Sequence, residues 1–400
     1  MRRSIFIKDF IVVSCLFFAA LVSCYAKYNF YALYVALPIA FLLTAFTKRF
    51  AINRPLKWLI VLYIWIILTC VTAYDISLSL RQLKQMLGAF VLSYTVGMSV
   101  EKKRVIPWLF LTYVIIFFAS SYYGYTHIVD TSFDVTDTRL DDEVLNANVL
   151  AYEFVYAIMA VYVLGDAVTN PRIQQFFRFF FWLLLPIGFI VALLTASRQV
   201  IITSLPLFIL LVITRYIMGA KIKKLIKILL VISIIGIFLT PRVIRVYNNS
   251  YLKQRTEYDV KDDPRTLLLK DAFQVGLEHP YTGVGPGNYI EFSYSHHFSH
   301  CTYTELFANT GILGAVIYIL MIFVFLKEQY GSYKKTRDPV FLSTFFWGVI
   351  YVVYNFFYVF YFELWLISFF ILVWSYSISY YRDNYAIVCS SGRRPASSPA

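Results

Sequence analysis

Four of the five histidines in this 400-residue chain fall between positions 279 and 300. An imidazole titrates near neutrality and can take a proton from a hydroxyl group. His300, in Ser299-His300-Cys301-Thr302-Tyr303-Thr304-Glu305, is the candidate general base. The alternatives are a plain loop histidine or a zinc site, since His296 and His300 are four residues apart and could share a helix face. No His-Glu-x-x-His and no thiol–histidine ligand spacing is present, so no metal is expected. Just upstream, His279-Pro280-Tyr281-Thr282-Gly283-Val284-Gly285-Pro286-Gly287-Asn288 sets three glycines at alternate positions. Such a run lets backbone approach a ligand closely or turn sharply. As a phosphate loop it matches neither Gly-x-Gly-x-x-Gly nor a P-loop, and Pro286 lacks a donor; a structural turn is the other reading.

Three arginines are candidates for holding an anion. Arg198 stands in Leu194-Thr195-Ala196-Ser197-Arg198-Gln199, between two apolar runs with almost no loop. It is either an interfacial arginine that snorkels to headgroups or a clamp whose planar donors match phosphate oxygens. Arg265 follows Asp263-Pro264, and Arg139 lies in an acidic stretch, 125–145, with Asp130, Asp134, Asp137, Asp141, Asp142 and Glu143. That stretch has no Asp-x-Asp; it reads as a solvated acidic face or a place for a divalent cation. Glu153 falls inside an apolar run, where a carboxylate is costly and is often functional.

These residues must be positioned by helices in a membrane. The chain is 60% hydrophobic and 15% charged, with a mean hydropathy of +0.66, which leaves too little charge for a water-soluble shell. Lipid offers the backbone no partners, and apolar runs of about 20 residues are helices rather than barrel strands. The chain is therefore expected to be all-α and polytopic, with about twelve spans near 10–26, 28–47, 57–74, 83–100, 105–124, 146–165, 177–195, 199–218, 223–240, 308–326, 339–358 and 362–380. The net charge of +13 becomes an orientation argument, and no nucleic-acid partner is expected. With the N-terminus inside, most of the 36 basic residues fall in cytoplasmic segments, and both termini are then cytoplasmic. Leu21-Val22-Ser23-Cys24 resembles a lipoprotein processing site, but an uncleaved first helix fits the charge pattern better. The five cysteines show no paired spacing.

Residues 1–383 thus read as one transmembrane domain, and 384–400 as a polar cytoplasmic tail. The long segment 241–307 is the extracytoplasmic loop that would carry the chemistry. Within it, Asp263-Pro264 is an N-cap followed by proline at the first helical position. Leu267, Leu268, Ala272, Phe273 and Leu277 recur at helical spacing before His279-Pro280. This predicts a short amphipathic helix on the outer membrane surface.

Taken in order, these motifs resemble the O-antigen ligase and O-antigen polymerase superfamily of bacterial envelope glycosyltransferases. The resemblance runs over roughly 135–330. It is carried by Arg139 with Asn146-Ala147-Asn148, by Ser197-Arg198-Gln199 between two spans, by Arg265 with His279 to Asn288, and by His300 to Gly314 leading into a span. The chain departs from the pattern at Ala147, Gln199, Cys301, Thr304 and Asn309. The resemblance implies a GT-C-like membrane enzyme, metal-independent, inverting and without cofactor, acting at the outer face of the cytoplasmic membrane. Its donor would be a glycan on undecaprenyl diphosphate, and its acceptor a hydroxyl of a glycan or of lipid A–core. Arg198 and Arg265 would neutralise the diphosphate and His300 would serve the acceptor hydroxyl. Arg139 would be a third anion contact, Asn148, Gly285, Gly287 and Asn288 would line the substrate, and Tyr303 and Glu305 would support the site or the sugar. Polymerase and ligase share these motifs, with a lean to polymerase because 19% aromatic content suits glycan stacking. The reading from another class is a transporter or flippase of lipid-linked sugars, which would show repeated halves and mid-membrane charges.

Overall fold

The computed structural model describes residues 2–23, 25, 30–127, 147–195, 198–217, 264–294 and 296–386, with isolated positions between 226 and 248. The predicted span at 223–240, the acidic stretch with Arg139, most of the loop before Pro264 and the tail after Ala386 lie outside the described residues.

Every regular element among the described residues is helical. In chain order they are α1 (Arg2–Val22), α2 (Leu37–Thr47), α3 (Arg54–Thr69), α4 (Ile76–Ser99), α5 (Ile106–His127), α6 (Ala147–Ala167) and α7 (Pro171–Thr195). Then come α8 (Arg198–Val212), α9 (Pro264–Glu278), α10 (Tyr289–Phe292), α11 (Thr302–Thr336), α12 (Pro339–Tyr354) and α13 (Leu364–Tyr381). Among the described residues five helices are long and apolar enough to cross a bilayer, beginning at Arg54, Ile106, Val149, Thr302 and Leu364. Three shorter apolar helices accompany them, at Ala32–Thr47, Ile202–Arg215 and Pro339–Tyr354. The molecule is a multi-pass helical membrane protein.

Central and peripheral helices are separated by which faces are covered. Almost all of α6 and α13 is buried, with Val155, Ala157 and Ala160 on the first and Ile367, Phe370 and Trp374 on the second. By contrast α11 leaves Ile312, Val316, Ile319 and Phe323 exposed at helical spacing, and α3 leaves Val61, Ile64 and Leu68. Continuous apolar stripes of that kind are tolerated where lipid, not water, is the solvent.

Local chemistry sets the helix starts. The Asn53 side chain accepts from Leu56 N at 3.1 Å ahead of Pro55, and Asp75 Oδ1 accepts from Ser77 N at 2.7 Å. Asp338 Oδ1 accepts from Val340 N at 2.9 Å, with Pro339 in the first turn and Arg337 at φ 57° closing the helix before it. The expected helix after Asp263-Pro264 is α9, ending at Glu278 just ahead of His279-Pro280. Its apolar residues divide differently from the expectation. Leu268, Ala272 and Val275 are buried against Val284, Tyr289 and Ala308, whereas Leu267, Phe273 and Leu277 are exposed. The span predicted at 308–326 is the middle of a longer helix, Thr302–Thr336, broken at Gly311, where φ is 71° and ψ −176°. The nine residues before that break form a separate outer segment that the hydropathy pattern does not distinguish.

Candidate functional site

The glycine run forms a seat rather than an open loop. Val284 N and Gly285 N donate to Ala308 O and Asn309 O at 2.9 and 3.0 Å, and Ile312 N donates to Pro280 O at 2.8 Å across the Gly311 break. On its other side Tyr74 N donates to Val284 O at 3.0 Å, joining the turn between α3 and α4. Trp65 Nε1 closes the same corner on Thr310 O at 2.9 Å. There is no room for a side chain here. A Cβ on Gly283 (φ 65°) would stand 2.3 Å from the Asn309 carbonyl carbon, and one on Gly285 (φ 99°) 2.5 Å from Ala73 Cβ.

Asn288 completes the seat. Its Oδ1 accepts from Asp75 N at 2.7 Å, and its Nδ2 donates to Ser79 Oγ at 2.9 Å and to Pro286 O at 3.1 Å. The side chain is wholly buried. Gly287 (φ 73°) lies against Gln82 and Leu78. So Gly285, Gly287 and Asn288 face the protein itself in this structure. Tyr289 is buried beside them, its hydroxyl reaching Leu268 O at 3.0 Å and Asp271 Oδ2 at 3.1 Å, and burial pushes its phenol up.

From this seat the chain runs to His300, which sits at φ 55°, a left-handed backbone that a residue with a side chain adopts at a cost. Both flanks are tied. Ser299 N donates to Glu305 Oε2 at 2.8 Å, and Asn309 Nδ2 donates to Glu305 Oε1 at 3.1 Å. On the far side Thr302 N donates to Asn355 O at 2.8 Å, and Thr302 Oγ1 donates to Tyr358 O at 2.8 Å while accepting from Phe360 N at 3.0 Å. Glu305 is wholly buried; its Oε2 serves the backbone just before His300 and its Oε1 the Asn309 side chain. Tyr303 points away, its hydroxyl donating to Val352 O at 3.1 Å and its ring packing on Phe356.

The segment joining α12 to α13, residues 355–363, is the feature the sequence analysis did not single out. Tyr152, one turn into α6, donates to Phe357 O at 3.1 Å and packs its ring against Tyr354, Tyr358 and Phe360 at 4.8, 5.3 and 5.0 Å. The charge of Arg265, at the start of α9, acts on the Tyr152 hydroxyl. Thr203 of α8 donates to Tyr354 Oη at 2.6 Å, about a turn and a half beyond Arg198. Hence the flank of His300 and Tyr152 of α6 meet at 355–363, with Thr203 of α8 on the adjoining Tyr354 and the Arg265 charge reaching Tyr152. Arg198 is the first residue of α8 and Asn148 lies in the first turn of α6; their side chains, like Arg139 entirely, lie outside the described residues.

Two further carboxylates belong to this corner. Glu363 caps α13 and accepts from the Tyr358 hydroxyl at 3.1 Å; burial pushes its carboxyl up to about 7. Glu153, buried on α6, bonds to Ser120 and lies within electrostatic reach of Glu363, while its Oε2 has no hydrogen-bond partner among the described residues. The available signal was Glu363 itself, a lone charge ending the aromatic run Phe356-Phe357-Tyr358-Val359-Phe360-Tyr361-Phe362.

No curated protein matches the chain. A family model described as O-antigen ligase matches residues 179–319, which include Arg198, Arg265, the glycine seat, His300, Tyr303 and Glu305 but neither Arg139, Asn148 nor the 355–363 segment. The match over residues 179–319 supports the O-antigen ligase/polymerase superfamily as the one this chain resembles.

Proposed function

We propose that the protein is a metal-independent, inverting glycosyltransferase that moves a glycan from undecaprenyl diphosphate to a sugar hydroxyl. It does so at the outer face of the bacterial cytoplasmic membrane, within a chain of about twelve spans whose termini are both cytoplasmic. The acceptor hydroxyl attacks the anomeric carbon, and the bond to the diphosphate oxygen breaks from the opposite face. Arg198 and Arg265 neutralise the charge that collects on the departing diphosphate, the electrostatic contribution that usually dominates such reactions. His300 takes the proton that the hydroxyl loses. Arg139 and Asn148 extend the anion and sugar contacts, and the glycine seat with Gly285, Gly287 and Asn288 fixes the loop that presents them. The acceptor is a second lipid-linked repeat unit, making the enzyme a polymerase; a ligase would use lipid A–core instead.

The reading rests on one observation. Thr302, on the flank of His300, and Tyr152 of α6 bond to Tyr358 O and Phe357 O, Thr203 of α8, five residues after Arg198, bonds to the adjoining Tyr354, and the Arg265 charge acts on Tyr152, although these segments are far apart in sequence. Residues that only terminate helices have no reason to gather in this way. The test is to express the protein, Arg198→Ala and His300→Ala in a strain lacking its own polymerase, and to resolve the surface glycan on a gel. Restoration of a length ladder by the parent protein, and its loss in both variants at normal membrane levels, is the expected result. Rescue of a ligase-null strain alone would change the acceptor. Full activity of both variants would sink the site and favour transport of lipid-linked sugars.

A further inference from the structure

His300 is held from two directions by two different carboxylates. One, Glu305, fixes the residue before it through Ser299 N. On the other side the path is longer and leads out of the matched segment: Glu363 Oε1 accepts the Tyr358 hydroxyl at 3.1 Å, and Tyr358 O accepts the Thr302 hydroxyl at 2.8 Å, two residues after His300. Phe360 N, in the same turn, donates to Thr302 Oγ1 at 3.0 Å, so the threonine hydroxyl is saturated by the segment that Glu363 anchors. We propose that Glu363 is a positioning residue for His300, acting through Tyr358 and Thr302.

Three features favour this over a plain helix cap. Glu363 makes no side-chain cap bond to the first turn of α13; its oxygen is turned to Tyr358 instead. Thr302, two residues after His300, is gripped by the segment that Glu363 anchors through three bonds, its amide to Asn355 O and its hydroxyl to Tyr358 O and Phe360 N. The residue Glu363 steers is in a left-handed conformation, which reverts unless the neighbours over-determine it. The Tyr358 ring also packs on Tyr152, with centroids 5.3 Å apart, and the Arg265 charge acts on the Tyr152 hydroxyl.

The inference rests on His300 being the base in the proposed function, and the experiment separates the two. Purified full-length protein is reconstituted in nanodiscs, and transfer is followed with lipid-diphosphate-linked glycan extracted from a polymerase-null strain. Glu363→Ala and Tyr358→Phe are each expected to lower kcat about a hundredfold, the cost of a misplaced catalytic group, with KM changed less than about twofold. Glu363→Gln keeps an acceptor oxygen for Tyr358 and is expected to recover most of the loss. Combining Glu363→Ala with Tyr358→Phe should cost no more than either alone, since both cut one path. Wild-type kcat in Tyr358→Phe, or a hundredfold loss in Glu363→Gln, would overturn the proposal even if Glu363→Ala failed to insert, and so would losses that multiply in the double variant. If His300→Ala is inactive while these variants are unaffected, only this inference fails. If His300→Ala transfers normally, the proposed function itself fails.

Discussion

The two ends of the helical bundle treat their acidic residues in opposite ways. At the end bearing Lys48, Lys102 and Arg215, the carboxylates meet cations. Asp9 is paired with Lys102 and Arg104, Glu101 with Lys48, Glu328 with Arg54, and Asp166 with Arg178 and Arg215 at 3.0 and 2.7 Å. At the other end Glu153, Glu305 and Glu363 make no ion pair among the described residues. They meet hydroxyls, amides and one another. A paired carboxylate ties helices together and has little left to do. A carboxylate held by neutral donors can orient the groups that donate to it. The contrast matches a scaffolding role for the first end and the proposed chemistry at the second.

A second contrast lies within the chemical end, between the glycine seat and the His300 corner. The largest expected effects are structural and fall on the seat. Gly283→Ala and Gly311→Ala would each force a Cβ to within 2.3 Å of backbone at positive φ, and we expect losses of several kcal/mol, on the order of 3 or more, and little monodisperse protein. Size-exclusion of detergent-solubilised protein reads this directly. If either variant is well folded but inactive, the seat touches substrate and the contrast fails. Asn288→Ala follows, at about 2–4 kcal/mol, because it strips partners from the buried Ser79 hydroxyl and the Asp75 amide. A lower melting midpoint with kcat retained per folded molecule is the expected outcome.

At the paired end, Asp166→Asn should cost about 1–2 kcal/mol by leaving Arg178 and Arg215 without their anion, with transfer unaffected. Loss of activity there would undo the division of labour. The pH prediction concerns Glu363. Its carboxyl is raised in the fold from an ordinary 4.5 to about 7, so the native state favours the protonated form. That contribution to stability is complete below the ordinary value and is lost as pH rises through about 7. The groups facing it are Glu153 and the Tyr358 hydroxyl, with Arg265 beyond Tyr152. Melting midpoints measured from pH 5 to pH 8 should therefore fall with rising pH, and Glu363→Gln should flatten part of that slope. The smallest effect is expected from Lys103→Ala, which removes an exposed 3.7 Å pair with Asp383 and should stay within about 0.5 kcal/mol of the parent protein.

Much of this was readable from residue order, though unevenly. Helix α9 was legible because an Asp-Pro start, a 3.6-residue apolar period and His279-Pro280 are local signals. The tight junction between α7 and α8 was legible because only residues 196 and 197 separate two apolar runs. The start of α11 was not. Hydropathy sees a continuous span, and only the Pro280 and Tyr281 backbone packed against Gly311 gives a reason for the break. In residue order 355–358 read as the end of a span and nothing singled out the rest of 355–363, because partners such as Tyr152 and Thr302 are distant in sequence.

The sequence by itself determined that this chain is helical, lies in a membrane and carries an ordered series of arginines, glycines and histidines. Those properties follow from solvent and from neighbours a few residues away. Only the tertiary structure decided which of these residues are packed as framework. The glycines proved to be places where backbones from three elements touch, and Glu363 proved to hold Tyr358, whose carbonyl bonds to Thr302, two residues after His300. Such roles depend on contacts between segments that the chain brings together only when it is folded, and no local pattern encodes them.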